Sequence, residues 1–206
     1  MQAHTVAVRA ITEVGAETIA VDLETPPDFD PMPGQFVKLS AFVDGEHVVR
    51  FYTMSSPDAD ETFEITIGID PDGAFGPWIA DAVGETVALE GPYGRAFYDG
   101  ESRSVVLASG PGIGAAVGIA ERALADGNDA TVVVYGADPP HMDRLDALAA
   151  HGVAVDITDE LSSIASHLGG DGQVFVYGFQ DFVSDALATI EAAGGDPAAA
   201  KVENYG

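Results

Sequence analysis

Arg50-Phe51-Tyr52-Thr53 sets a guanidinium, a phenol ring and a hydroxyl within four residues of each other. An arginine holds a phosphate through two parallel N–H donors. A tyrosine offers a flat face with a polar tip, and a threonine offers a small donor and acceptor. Together they suit a ligand with a phosphate at one end and an aromatic ring at the other. The plain alternative is a half-buried strand over 48–54 with one outward arginine. The chain has only 8 Lys and Arg against 34 Asp and Glu, so a cation in this position is one of very few.

A second candidate is the glycine-rich run Ser109-Gly110-Pro111-Gly112-Ile113-Gly114-Ala115. It follows an expected strand and opens an expected helix. There a parallel sheet presents backbone amides and a positive helix end to a phosphate. The plain alternative is a crossover whose glycines serve only close helix–sheet packing. Two more loops, Gly136-Ala137-Asp138 and Gly178-Phe179-Gln180, follow later strands. All three lie at carboxyl ends of strands, where ligands bind in such sheets. His4, His47, His141, His151 and His167 show no metal-ligand spacing, and no residue is assigned to a metal. The chain has no cysteine, which excludes disulfides, thiolate-held iron–sulfur clusters and cysteine nucleophiles within it.

The pattern of elements changes near residue 100. Before it, alternating apolar stretches predict strands over 5–14, 18–23, 35–42, 48–54, 62–69 and 86–90, broken by Pro and Gly. Short strands with regular turns indicate an antiparallel barrel. After it, strands over 104–108, 131–135, 153–157 and 173–177 alternate with helices over 113–125, 142–151, 160–168 and 181–193. Asp159 is the expected N-cap of the third helix. Such alternation means a parallel sheet covered by helices on both faces. Two domains are expected, over 1–100 and 101–206.

The net charge of −26 is spread along the chain. It would oppose compaction in dilute salt, whereas at about 1 M salt the screening length falls to roughly 3 Å. With lysine only at 38 and 201, a high-salt cytoplasm is the expected setting. Nucleic acid is a poor partner for such a surface. No apolar run is long enough for a membrane helix, and the first residues lack the apolar core of a signal peptide.

The order of these segments resembles the ferredoxin–NADP reductase superfamily of flavin oxidoreductases. Pro33-Gly34-Gln35-Phe36-Val37 resembles the strand before the flavin motif, and Arg50-Phe51-Tyr52-Thr53 resembles the motif itself. Gly73-Ala74-Phe75-Gly76-Pro77-Trp78-Ile79 resembles the second phosphate loop. Gly91-Pro92-Tyr93-Gly94 resembles the turn that ends the barrel. Val176-Tyr177-Gly178 and Glu203-Asn204-Tyr205-Gly206 resemble the strand end and short tail of the second half. The resemblance implies a flavin-binding β-barrel followed by a pyridine-nucleotide-binding α/β domain.

It also implies roles. Arg50 would bind the flavin phosphate, with Phe51 and Tyr52 beside it and Tyr52 against the ring or ribityl chain. Thr53 would hydrogen-bond near the reactive nitrogen of the ring. Ile67, Gly68, Gly73, Phe75, Gly76, Pro77 and Trp78 would complete the flavin site. Gly110, Pro111 and Gly112 would receive the nicotinamide nucleotide, and Tyr177 and Gly178 would approach its ring. Tyr205 would cover the flavin, and Glu203 would relay protons. The implied cofactor is FAD rather than FMN. The implied activity is hydride transfer from NAD(P)H and onward delivery of electrons to an acceptor protein such as a ferredoxin. Asp138 favours NADH over NADPH, because a carboxylate accepts from both ribose hydroxyls and repels a 2′-phosphate. The sequence departs from the family at Gly76, Pro111, Ala115 and Tyr177, where Ser or Thr, Thr, Pro and Cys are usual. Those departures keep open an alternative, a flavin-binding electron-transfer or regulatory subunit that no longer uses pyridine nucleotide.

Overall fold

The computed structural model describes residues 3–206. Six strands build the first half: β1 (His4–Gly15), β2 (Thr18–Glu24), β3 (Phe36–Val43), β4 (Glu46–Thr53), β5 (Thr62–Gly68) and β6 (Thr86–Tyr93). They pair antiparallel in the order β4-β3-β6-β1-β2-β5. The two outer strands then meet. Met54, one residue past β4, bridges Ile65 of β5, and the Ser55 N–H donates to the Glu64 carbonyl at 2.8 Å. The sheet therefore closes as a barrel, which removes most of its exposed edge. The two-residue period of each strand turns Val6, Val21, Leu23, Val37, Leu39, Ile65 and Leu89 into one core. A helix absent from the sequence reading, α1 (Phe75–Ala80), adds Phe75 and Ile79 to that core. Six residues are too few for helical periodicity to show.

The second half alternates β7 (Arg103–Ser109), α2 (Gly112–Ala125), β8 (Asp129–Tyr135), α3 (Met142–Ala150), β9 (Ala154–Thr158), β10 (Gln173–Gly178), α4 (Gln180–Ala192) and β11 (Lys201–Asn204). All sheet pairings here are parallel, in the order β11-β10-β7-β8-β9. Val106, Val132, Val134, Phe175 and Tyr177 face α2 and α3, and Val105, Leu107, Val133 and Val176 face α4. Both faces are covered, as the sequence predicts. The expected helix over 160–168 is instead a 3-10 stretch, Leu161–His167. Asp159 does not cap it: Glu160 holds the N-cap position without a side-chain hydrogen bond, and Thr158 Oγ1 accepts the Glu160 N–H at 3.0 Å. Strand β11 is also new, since four mixed residues carry no alternation to read.

Glycines let the two halves approach. A Cβ on Gly114 of α2 would overlap Thr66 Oγ1 of β5, and one on Gly118 would sit 2.7 Å from the Ser55 carbonyl. Arg144 of α3 ties this seam together. It donates to Glu64 at 2.7 Å, to Glu121 at 2.6 and 2.8 Å and to the Ser55 carbonyl at 2.6 Å. His141, just before α3, joins Thr66 at 2.7 Å and is buried. Farther along, the Tyr177 hydroxyl donates to the Ala96 carbonyl, and Lys201 reaches Glu101 and the Phe97 carbonyl.

Candidate functional site

A cleft of about 210 Å³ opens along this seam. Strand β4 supplies Arg50, Phe51, Tyr52 and Thr53, and β5 supplies Thr66 and Gly68. Across from them stand Pro111 of the glycine turn, Phe179 and Tyr205. The strand period puts Arg50 and Tyr52 on one face of β4 and Phe51 and Thr53 on the other. All four nonetheless border the same cleft. Pro111 closes the far wall: a Cβ on Gly68 would stand 3.1 Å from its ring.

Tyr52 is braced from behind. Its ring stacks on Phe75 at 5.8 Å and 28°, and Phe75 leans on Trp78 at 5.6 Å. Burial raises the Tyr52 phenol well above its ordinary value, so it stays neutral. Arg50 is exposed and donates to the neighbouring Val49 carbonyl at 2.8 Å. Arg9, Lys38, Arg122, Arg144 and Lys201 are each paired with carboxylates, whereas among the described residues Arg50, Arg95 and Arg103 meet none, and of these three only Arg50 lines the cleft. In so acidic a chain, an arginine kept clear of carboxylates is available to an anion.

Tyr205 is held by its backbone N–H, which donates to the Gly178 carbonyl at 3.0 Å. Its hydroxyl is buried near Thr53 without a hydrogen bond of normal geometry. Thr53 is the polar group beside it. A second cleft, of about 410 Å³, shares Phe51, Thr53 and Tyr205 and adds Phe36, Glu203 and Asn204. Glu203 is half-buried, and burial pushes its carboxyl up to about 7. It can hold or release a proton near neutral pH beside Thr53 and Tyr205.

The remaining expected residues lie elsewhere. Ile67 points into the barrel core, as does Phe75. Gly73 closes a turn on the Asp70 carbonyl at 3.0 Å, and Gly76, Pro77 and Trp78 belong to α1. Phe75, backed by Trp78, supports Tyr52, and none of these residues lines either cleft. Gly110 takes a left-handed backbone (φ 53°) at the start of the turn. Gly112 packs against the Tyr177 backbone and Gly178 against Phe182 and Ser109, with no room for a side chain at either. The Tyr177 ring is fully buried in the seam and does not fill the cleft. Asp138 is exposed beyond the end of β8 and lines neither cleft. Phe179, Thr66, Phe36 and Asn204 receive no role from sequence, although Phe36 and Asn204 lie in segments that carry the resemblance and Phe179 lies in one of the three loops at strand ends.

Residues 5–98 match the family model of the oxidoreductase FAD-binding domain. A glycine betaine monooxygenase reductase subunit of Chromohalobacter salexigens is 43% identical over 65 residues, covering 30% of this chain and 18% of that protein. A probable dihydroorotate dehydrogenase B (NAD(+)) electron transfer subunit of Methanopyrus kandleri is 38% identical over 114 residues, covering 55% of this chain and 40% of that protein. The chain thus spans less than half the length of either relative. Among solved structures, a ferredoxin NADP+ reductase from Neisseria gonorrhoeae with bound FAD and NADP superposes with a TM-score of 0.80 at 15% identity. That match covers 99% of this chain and 98% of the other, and it shows a shared fold.

Proposed function

We propose that this chain is an FAD-dependent oxidoreductase that takes electrons from NAD(P)H and passes them to a separate acceptor protein, such as a ferredoxin. The observation that carries the reading is one cleft lined by Arg50, Tyr52 and Thr53 on one side and by Pro111 and Tyr205 on the other. The residues fit a flavin. Among the described residues Arg50 pairs with no carboxylate, Tyr52 offers a braced ring, and the buried Tyr205 hydroxyl sits beside Thr53. In this reading Arg50 holds the phosphate, Tyr52 and Tyr205 orient the ring from two sides, and Thr53 hydrogen-bonds at its polar edge. When bound, the flavin would supply acceptance of a hydride and release of electrons singly or in pairs. The protein's part is to align the rings, exclude water and keep an exchangeable proton on Glu203.

NADH is the proposed donor. Arg144 was the only cation of the segment after β8 that could meet a 2′-phosphate, and it is committed to Glu64, Glu121 and the Ser55 carbonyl. The exposed carboxylate of Asp138 also disfavours a 2′-phosphate there. No helix among the described residues is long and apolar enough to cross a membrane. With a net charge of −26, a high-salt cytoplasm is the proposed setting.

One observation favours the second reading, an electron-transfer subunit without nucleotide use. Gly112 and Gly114 of the glycine turn are occupied by packing contacts, to Tyr177 and to Thr66. Anaerobic mixing with NADH in high salt separates the two, read at the flavin band near about 450 nm. Loss of that band supports the reductase, and an unchanged spectrum supports the second reading. A faster response to NADPH than to NADH would overturn the donor assignment.

A further inference from the structure

Phe179 is out of keeping with its position. It is the N-cap residue of α4, with φ −77° and ψ 163° and no side-chain cap. Asp, Asn, Ser and Thr are the residues that stabilise such a position. In a chain with 34 acidic residues, a phenylalanine stands there and leaves 51% of its surface exposed. The other α-helices also lack a side-chain cap, so what sets Phe179 apart is the exposed ring.

The ring is held in place on two sides. Its edge meets Tyr205 in a perpendicular contact at 6.0 Å and 90°. A Cβ on Gly110 would lie 3.9 Å from Phe179 Cε2, so the ring sits one van der Waals contact from the glycine turn. The backbone around it is anchored: the Phe179 carbonyl accepts the Val183 N–H at 3.0 Å, and Asn204 donates to Gln180. The uncovered part of the ring borders the cleft that holds Tyr52, Thr53 and Pro111.

We propose that Phe179 is a stacking residue for the incoming pyridine nucleotide and selects its nicotinamide end. This rests on the reductase reading above. The ring adjoins both the turn at Gly110 and Tyr205, which lies next to Thr53. A dinucleotide with its phosphates at the turn brings one flat ring over the exposed part of Phe179. The ring that has to reach the reacting end of the cleft is the nicotinamide. Aromatic stacking supplies affinity for a flat ring with little loss of side-chain freedom.

Calorimetric titration of the flavin-loaded protein in multimolar KCl tests this, with NAD+, nicotinamide mononucleotide and 5′-AMP as probes. Phe179→Ala is expected to weaken NAD+ and the mononucleotide by roughly tenfold, the size of a lost aromatic pair. Phe179→Tyr is expected to restore both, with 5′-AMP binding and flavin absorbance unchanged throughout. Unaltered NAD+ affinity in Phe179→Ala would overturn the assignment, as would equal weakening of both half-ligands or loss of flavin. A wild-type protein that binds flavin but no nicotinamide ligand would refute the reductase reading itself, and the stacking role with it.

Discussion

At the scale of single residues, the chemistry gathers around β4. Arg50, Tyr52 and Thr53 were legible in sequence because they lie on one strand, where spacing alone fixes their relation. Tyr205 was legible from the tail motif, although its approach to Thr53 is a product of folding. Tyr177 shows where sequence reading stopped short. The period of β10 sets Tyr177 on the same side as Phe175, under α2, and the ring accordingly lies in the core. Glu203 carries the clearest expectation at this scale. With its carboxyl near 7, reduction by NADH should follow an ionisation close to pH 7, and Glu203→Gln should remove that step from the pH profile. A profile unchanged by the substitution would assign the proton elsewhere.

At the scale of elements, the glycine turn does two jobs. Gly110 supplies a backbone shape, whereas Gly112, Gly114 and Gly118 let α2 approach β10 and the barrel. The packing reading therefore holds for Gly112, Gly114 and Gly118, while a nucleotide-binding role for the turn remains part of the proposal. Spacing could not divide them, because the partner atoms come from Tyr177, Thr66 and Ser55. Gly114→Ala should destabilise the protein by about 1–3 kcal/mol through overpacking, read as a lower denaturant midpoint. An unchanged midpoint would mean that the seam yields freely. The strands and long helices were legible from their periods, while α1 and β11 were too short to carry one.

His141 gives the seam a pH dependence. Burial, then the nearby Arg144 charge, lower its pKa from 6.5 to about 4. The folded protein keeps the ring neutral while the unfolded chain protonates it below about 6.5. Its stabilising contribution is therefore full above that pH and is lost as pH falls toward 4. The whole effect is about 3 kcal/mol from the size of the shift. Denaturant midpoints at pH 7 and pH 4.5, in constant high salt, should differ more for the wild type than for His141→Gln. Equal differences would remove His141 from the account.

At the scale of the whole molecule, charge sets the conditions under which the site exists. A net charge of −26 on 206 residues calls for screening. Circular dichroism from dilute to multimolar KCl should show folding gained with salt, and full structure in dilute buffer would contradict the proposed high-salt setting. The fold class was legible from the change in pattern near residue 100. The site was legible only as two lists of residues, one from each half. The seam contacts through Gly114, Gly118 and Arg144 that turn those lists into one cleft join distant parts of the chain, and no local pattern announces them.

In the proposed function this cleft holds FAD through Arg50. Its most direct test is the identity and amount of flavin released when the purified protein is denatured in parallel with Arg50→Ala. The expected result is FAD at close to one per chain in the wild type. Reloaded Arg50→Ala should bind FAD about 10- to 100-fold more weakly, the range for losing charge-assisted hydrogen bonds to a phosphate. FMN or no flavin in the wild type, or equal FAD affinity in the variant, would contradict it.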